Sequence, residues 1–336
     1  MLEPLCYFIK LLFFSPINMV YSRLFRFRGI ERDVGWRRLL VIVQMKTMSE
    51  YLDLPTLKYL VNPFLKVINR IGYWWYSCGP KDKQLRWIAR TEGAPVLIYI
   101  HGGGMCVDMP PTNIKYLHLI DQEVSPLSIA SLEYTLCSSF PVPVEEAWRA
   151  YETEVTKGNI VYLMGDSVGG ALCLNILQRC YSHNVKFPEK CVAISPWLNI
   201  TKPEIHLKDG HPLDYMTWGL LALFKNIYAP RSNPNDPSLN IESNFHPEVW
   251  SSILQDTQLL ITCGEQEILR PQIVRFFSKL HQINHNNVQL LEETLGVHVS
   301  TLLFDPWTYP KRAETMKEIM HFLQKDEKID KADINL

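Results

Sequence analysis

Short, mostly apolar runs recur along the chain at VLIYI (96–100), LSIASL (127–132), IVYLM (160–164), CVAIS (191–195), LLITC (259–263) and VQLLE (288–292). Stretches with helical periodicity separate them, near 112–124, 144–157, 169–182, 214–228 and 271–283, with a last one near 311–324. Continuous apolar strands alternating with helices predict an α/β fold, a mostly parallel sheet covered on both faces. Right-handed crossovers then bring the strand C-termini to one edge, where catalytic residues are expected. Residues 37–76 have a different rhythm. LLVIVQMKTMSEYL and LKYLVNPFLKVI read as helices punctuated by Pro55 and Pro63. The pattern divides the chain into an apolar N-terminal segment (1–28), a helical cap region (29–83) and a catalytic domain (84–336).

The N-terminal stretch PLCYFIKLLFFSPINMV (4–20) is broken by Lys10 and Pro16. It falls short of the roughly 20 apolar residues that span a bilayer, and no small-x-small cleavage site follows it. Arg23, Arg26, Arg28 and Arg32 come next, a basic flank that the positive-inside rule places in the cytosol. Three readings stay open: a signal anchor, a helix lying in the membrane interface, or a buried helix of the cap. The first two make a membrane surface or single-pass anchor an expected partner.

Composition narrows the function classes. With 336 residues, 47% of them hydrophobic, the chain can build one large core. Lys plus Arg is 34 and Asp plus Glu is 35, so the net charge of −1 argues against a nucleic-acid surface. The eight cysteines include no C-x-x-C pair, and most sit in or beside apolar segments. They read as buried free thiols, with no metal site and no cofactor implied.

The chemistry is carried by the strand IVYLM, which runs into Gly165-Asp166-Ser167-Val168-Gly169-Gly170 and then a helical pattern. This is G-x-S-x-G in the strand–turn–helix setting of a nucleophile elbow. Gly165 and Gly169 allow close backbone passage around a strained serine. The strand VLIYI ends in His101-Gly102-Gly103-Gly104, a turn able to aim backbone N–H groups at a developing oxyanion. The expected donors are Gly103, Gly104 and Val168. His101 reads as a structural residue of that turn.

A serine nucleophile needs a base and an orienting acid, in the chain order Ser, acid, His. Two carboxylates, Glu265 and Glu267, follow LLITC, and Glu267 is the preferred acid. His298 lies in the loop after the last strand, just beyond Gly296, and is the expected base. His281 and His285 read as surface residues. Asp166 sits beside the nucleophile and is expected to serve as a hydrogen-bonding support.

Together, HGGG, G-D-S-x-G-G, the acidic turn and the G-x-H turn resemble the hormone-sensitive-lipase-like branch of the α/β-hydrolases over residues 84–324. The resemblance implies an α/β-hydrolase fold and a Ser167–Glu267–His298 triad. Three positions depart from that branch's pattern: Glu267 stands for the usual aspartate, Val168 for alanine, and Val299-Ser300 for Gly-Phe. Less generic segments are similar to the fungal steryl acetyl hydrolases, or sterol deacetylases: YLVNP (59–63), AISPW (193–197), DPSLNIE (236–242) and WSSIL (250–254). This second resemblance implies hydrolysis of sterol acetates, a lipophilic ester substrate, by an enzyme anchored in the endoplasmic-reticulum membrane with its catalytic domain in the lumen. In a lumen the sequon Asn199-Ile200-Thr201 would be open to glycosylation. The cluster Tyr73-Trp74-Trp75-Tyr76 is expected either to face a sterol or to be core. Other readings of the same residues are a general short-chain carboxylesterase or lipase, a thioesterase or amidase, and a non-catalytic lipid-binding protein. Oligomeric state is not readable from the pattern.

Overall fold

A computed structural model describes residues 36–201, 214–303 and 312–324. The strands are β1 (Lys81–Asp82), β2 (Leu85–Ala89), β3 (Val96–Ile100), β4 (Ser128–Leu132), β5 (Val161–Asp166), β6 (Lys190–Ile194), β7 (Gln258–Gly264) and β8 (Val288–Glu293). They form one sheet in the order β1-β2-β4-β3-β5-β6-β7-β8. From β4 to β8 every pairing is parallel, whereas β1 and β2 run antiparallel at one edge. This is the α/β architecture expected, with an antiparallel edge that the apolar pattern did not announce.

Alternate residues of the central strands enter two cores. Ile98, Ile100, Leu163, Ala193 and Ile261 face one layer. It contains helices α4 (Val142–Thr156), α5 (Val168–His183), α7 (Pro247–Asp256) and α8 (Arg270–Ile283). Leu97, Tyr99, Met164 and Ile194 face α3 (Pro111–Glu123) and α9 (Arg312–Gln324) on the other side. Burial on both faces explains why these strands read as continuous apolar runs. Each fully buried aliphatic side chain contributes about 1.5–3 kcal/mol. The register Ile100↔Gly165↔Ala193, with Ile194 opposite Thr262, levels the strand ends along one edge. The HGGG turn, the serine elbow and the acidic turn all leave from that edge.

The cap region is helical where described. Helix α1 (Trp36–Glu50) packs Leu39, Ile42 and Val43 against Val297 in the loop beyond β8. Its buried Arg38 donates to the Leu295 carbonyl of the same loop. Leu54–Thr56, the π-helical Leu57–Val61 and Asn62–Trp75 then run on as one helical stretch, α2 (54–75). Asp53 caps its start by accepting from the Thr56 N–H at 2.8 Å. Leu57 and Asn62 are both buried although five residues apart. The extra residue of a π turn brings such positions onto one face, which α-helical spacing would not.

Two buried asparagines fix α2 to the turn that follows HGGG. Asn62 donates to the Cys106 carbonyl at 2.8 Å and accepts from the Asp108 N–H at 2.9 Å. Asn69 donates to the Met109 carbonyl at 2.9 Å. An Asn62→Ala chain should lose about 2 kcal/mol of stability, because two backbone groups lose their partner. A denaturant midpoint identical to wild type would contradict the clip.

Several expectations change here. The sheet begins at Lys81, inside the segment assigned to the cap. The expected helix at 214–228 shortens to α6 (Trp218–Tyr228) behind a Thr217 cap, and α7 was not anticipated. The apolar segment 1–28 lies outside the described residues. No helix among the described residues is long and apolar enough to cross a membrane.

Candidate active site

The elbow is formed by the end of β5 and the start of α5. Ser167 takes φ +54° and ψ −120°, an unusual conformation for a residue with a side chain. Its backbone is locked by donating to the Ile194 carbonyl at 2.8 Å and accepting from Trp197 and Ala171 at 3.1 Å. The flanking glycines are steric necessities. A Cβ on Gly169 would lie 1.9 Å from the Ile100 carbonyl oxygen, and one on Gly165 would lie 2.5 Å from the backbone of Gly169.

The loops from β5 and β8 bring serine and histidine together. His298 Nε2 is 2.9 Å from Ser167 Oγ. Glu267 enters from the turn after β7, with one carboxylate oxygen 3.9 Å from His298 Nδ1, an ion-pair distance longer than a hydrogen bond. That oxygen accepts from the Ser195 hydroxyl at 2.6 Å and from the Gly264 N–H at 3.0 Å. Ser195 Oγ in turn accepts from the Val299 N–H at 3.2 Å, so one hydroxyl ties the acid to the histidine loop. Glu265, the competing carboxylate, is exposed and accepts from the Leu295 N–H, away from the imidazole.

All three side chains are buried. Burial holds the His298 imidazole below its ordinary range and so favours the neutral form. Burial pushes the Glu267 carboxyl up, against the opposing pull of the Ser195 and Gly264 donors.

The HGGG turn packs against the elbow through Asp166. Its carboxylate accepts from Tyr99 Oη, and from the Gly102 N–H at 3.0 Å. Asp166 is thus a support for the turn, as expected. His101 stacks on Tyr134 with ring centroids 4.5 Å apart and bonds the Gly102 carbonyl through Nδ1 at 2.8 Å, and it does not line the pocket that holds Ser167. Gly103 and Gly104 line the same pocket as Ser167 and His298. Val168 begins α5, where an N–H has no intrahelical acceptor.

That pocket has a volume of about 220 Å³. Its walls are largely apolar, with Met45 and Met48 from α1, Val61 from α2, and Leu220 and Phe224 from α6.

Sequence reasoning missed one carboxylate. Asp214 is fully buried behind the site. It accepts from the Ile268 N–H at 2.7 Å and from the Met216 and His298 N–H groups at 3.3 Å. Burial pushes it up to about 6, with the three N–H donors opposing. It joins the acid loop to the histidine loop, and nothing around it in the sequence marks that role.

Two expectations are corrected. Asn199 is buried and both ends of its side-chain amide are engaged, the nitrogen donating to Glu242 at 2.9 Å and the oxygen accepting from the Ser243 N–H at 3.1 Å. A glycan has no room there in the folded chain. Trp74 and Trp75 are 77% and 71% exposed and do not line the pocket, so the aromatic cluster is not its wall. Tyr73 and Tyr76 pack instead against the second core.

A family model described as "Steryl acetyl hydrolase" matches residues 72–322. The chain belongs to the steryl acetyl hydrolase family. Within this steryl acetyl hydrolase family, it is similar to steryl acetyl hydrolase 1 of Saccharomyces cerevisiae, with 29% identity over 261 residues. That match covers 68% of this chain and 60% of the yeast protein. It is 27% identical over 242 residues to the putative steryl acetyl hydrolase mug81 of Schizosaccharomyces pombe, covering 65% of this chain and 63% of that one. The match thus spans about three-fifths of each yeast relative's length. Solved structures share the fold. A hormone-sensitive lipase from a metagenome library superposes with a TM-score of 0.62 at 18% identity, covering 77% of this chain and 91% of that one. Carboxyl esterase 2 of Tuber melanosporum gives 0.61 at 18% identity, covering 71% and 80%. The fold is therefore the α/β-hydrolase fold.

Proposed function

We propose that this chain is a serine esterase that removes the acetyl group from sterol acetates, with Ser167, His298 and Glu267 as its triad. The observation that carries the reading is the 2.9 Å approach of His298 Nε2 to Ser167 Oγ inside an apolar pocket. Ser167 Oγ attacks the acetyl carbonyl carbon while its proton passes to His298 Nε2. The Gly103, Gly104 and Val168 N–H groups receive the oxyanion. Collapse breaks the ester bond, and the sterol oxygen leaves with the proton from His298. Water then adds to the acyl-serine by the same route and releases acetate. Glu267 stabilises the imidazolium in both steps. Its 3.9 Å distance shortens when charge develops on His298, as catalytic contacts tighten in the reacting complex.

The acyl acceptor follows from the family and from the apolar walls. Its test is turnover of a steryl acetate against an aryl acetate and a long-chain steryl ester. The proposal expects the highest kcat/KM on the steryl acetate. Equal turnover of all acetates would reduce the reading to a general short-chain esterase.

The burial of His298 also sets a pH dependence. A depressed imidazole stays neutral, and able to accept the serine proton, below the ordinary value of about 6.5. The acid limb of kcat/KM should therefore lie below 6.5. A limb at or above that value would show a histidine held in its charged form instead.

A further inference from the structure

Helix α2 is amphipathic in the wrong sense for a soluble cap. Its buried face carries Asn62 and Asn69, whereas Phe64, Val67, Ile71, Trp74 and Trp75 are exposed. Their spacing of three and four residues makes one continuous outward stripe. Tyr59, one turn earlier, is also exposed. Surface helices of globular proteins turn such a stripe to the core, and a large exposed apolar patch marks an interaction site.

Lys58, Lys66 and Arg70 stand on the same helix and line a polar cavity of about 780 Å³ between α2 and β2–β4. None of the three has an ion-pair partner among the described residues, whereas Lys81 and Arg86, on the far wall, both pair with Glu133. An apolar stripe ending in two tryptophans and flanked by uncompensated cations has the composition of a helix that lies in the interface of an anionic bilayer. The same helix reaches the active-site pocket at Val61, three residues before Phe64. Val61 of α2 and the half-exposed Met48 of α1 both line it.

We propose that the outer face of α2 docks on an anionic phospholipid surface, seating Trp74 and Trp75 among the acyl chains and Lys66 and Arg70 at the headgroups. A lipophilic ester could then pass from the bilayer to Ser167 along Val61 and Met48. That route rests on the esterase reading, but the docking does not.

The test uses the full chain and vesicles of phosphatidylcholine, alone or with phosphatidylserine, carrying brominated acyl chains. Bromine quenches tryptophans immersed in the bilayer. Wild type should be quenched, and the Trp74→Phe/Trp75→Phe chain should lose most of that quenching. Lys66→Ala/Arg70→Ala should weaken binding to the anionic vesicles roughly 30-fold, at about a factor of five per cation, with little change on neutral ones. Ile71→Glu should lower vesicle flotation without moving the thermal midpoint. Quenching that is the same with and without Trp74 and Trp75 overturns the proposal, including the case where the chain binds through residues 1–28. A stable dimer in sedimentation whose contact protects Trp74 and Trp75 also overturns it. No readout involves turnover, so the docking and the esterase reading stand or fall separately.

Discussion

Replacing Ser167 by alanine should lower steryl acetate turnover by about 10⁴- to 10⁶-fold while leaving the fold intact. The size follows from how the site is built. Ser167 Oγ is the atom that His298 Nε2 meets at 2.9 Å, and both line the same apolar pocket. Removing it leaves the oxyanion donors and the pocket, which alone sustain only residual catalysis. The backbone of the elbow is held by the Ile194, Trp197 and Ala171 contacts, none of which needs the hydroxyl. The thermal midpoint should therefore stay near wild type. A Ser167→Ala chain that retains more than about a hundredth of wild-type turnover would remove Ser167 from the nucleophile's role.

The largest loss of stability should come from Asp214→Ala. Its two carboxylate oxygens serve three backbone donors, at Ile268, Met216 and His298. Each unsatisfied buried N–H costs about 1–3 kcal/mol, so the expected loss is about 3–5 kcal/mol, near the upper end for a single substitution. The affected residues include His298 itself and the neighbour of Glu267. A misplacement of about 1 Å is worth roughly 10² in kcat, and a loss of that order is expected even where the chain still folds. Asp214→Asn should rescue little, because one of its two acceptor oxygens becomes an NH₂ group facing an N–H. Denaturant unfolding and kcat of the two variants check this. A stable, fully active Asp214→Asn chain would show that one oxygen suffices.

The parts of this structure that were legible in the sequence are those where one residue type answers one physical demand. Strands β3 to β7 are buried on both faces and so read as largely apolar runs. The elbow was legible because only glycine tolerates the 1.9 Å approach at position 169. The placement of His298 and Glu267 beside Ser167 was legible because they follow β8 and β7 in the order the fold requires. Strands β1 and β2 were not, since β1 is two residues long and LRWIA mixes Arg86 into a short antiparallel run. Asp214, Ser195 and Asn62 act by bonding to backbone groups distant in sequence, and such a bond leaves no local signature. Asn199 shows the converse. A sequon is a three-residue pattern, and its accessibility is decided by Glu242 and Ser243, more than forty residues away. The aromatic cluster at 73–76 was read as one unit. Helical geometry splits it, turning Tyr73 and Tyr76 to the core and Trp74 and Trp75 to the surface.

The proposal that Ser167 is the nucleophile of an esterase is tested most directly by covalent capture. The full chain would be treated with a fluorophosphonate, digested, and its peptides mapped by mass. A single adduct on the peptide carrying Ser167, formed in proportion to the loss of ester turnover, is the predicted result. An adduct on another serine, or an unlabelled chain that still cleaves esters, would contradict it.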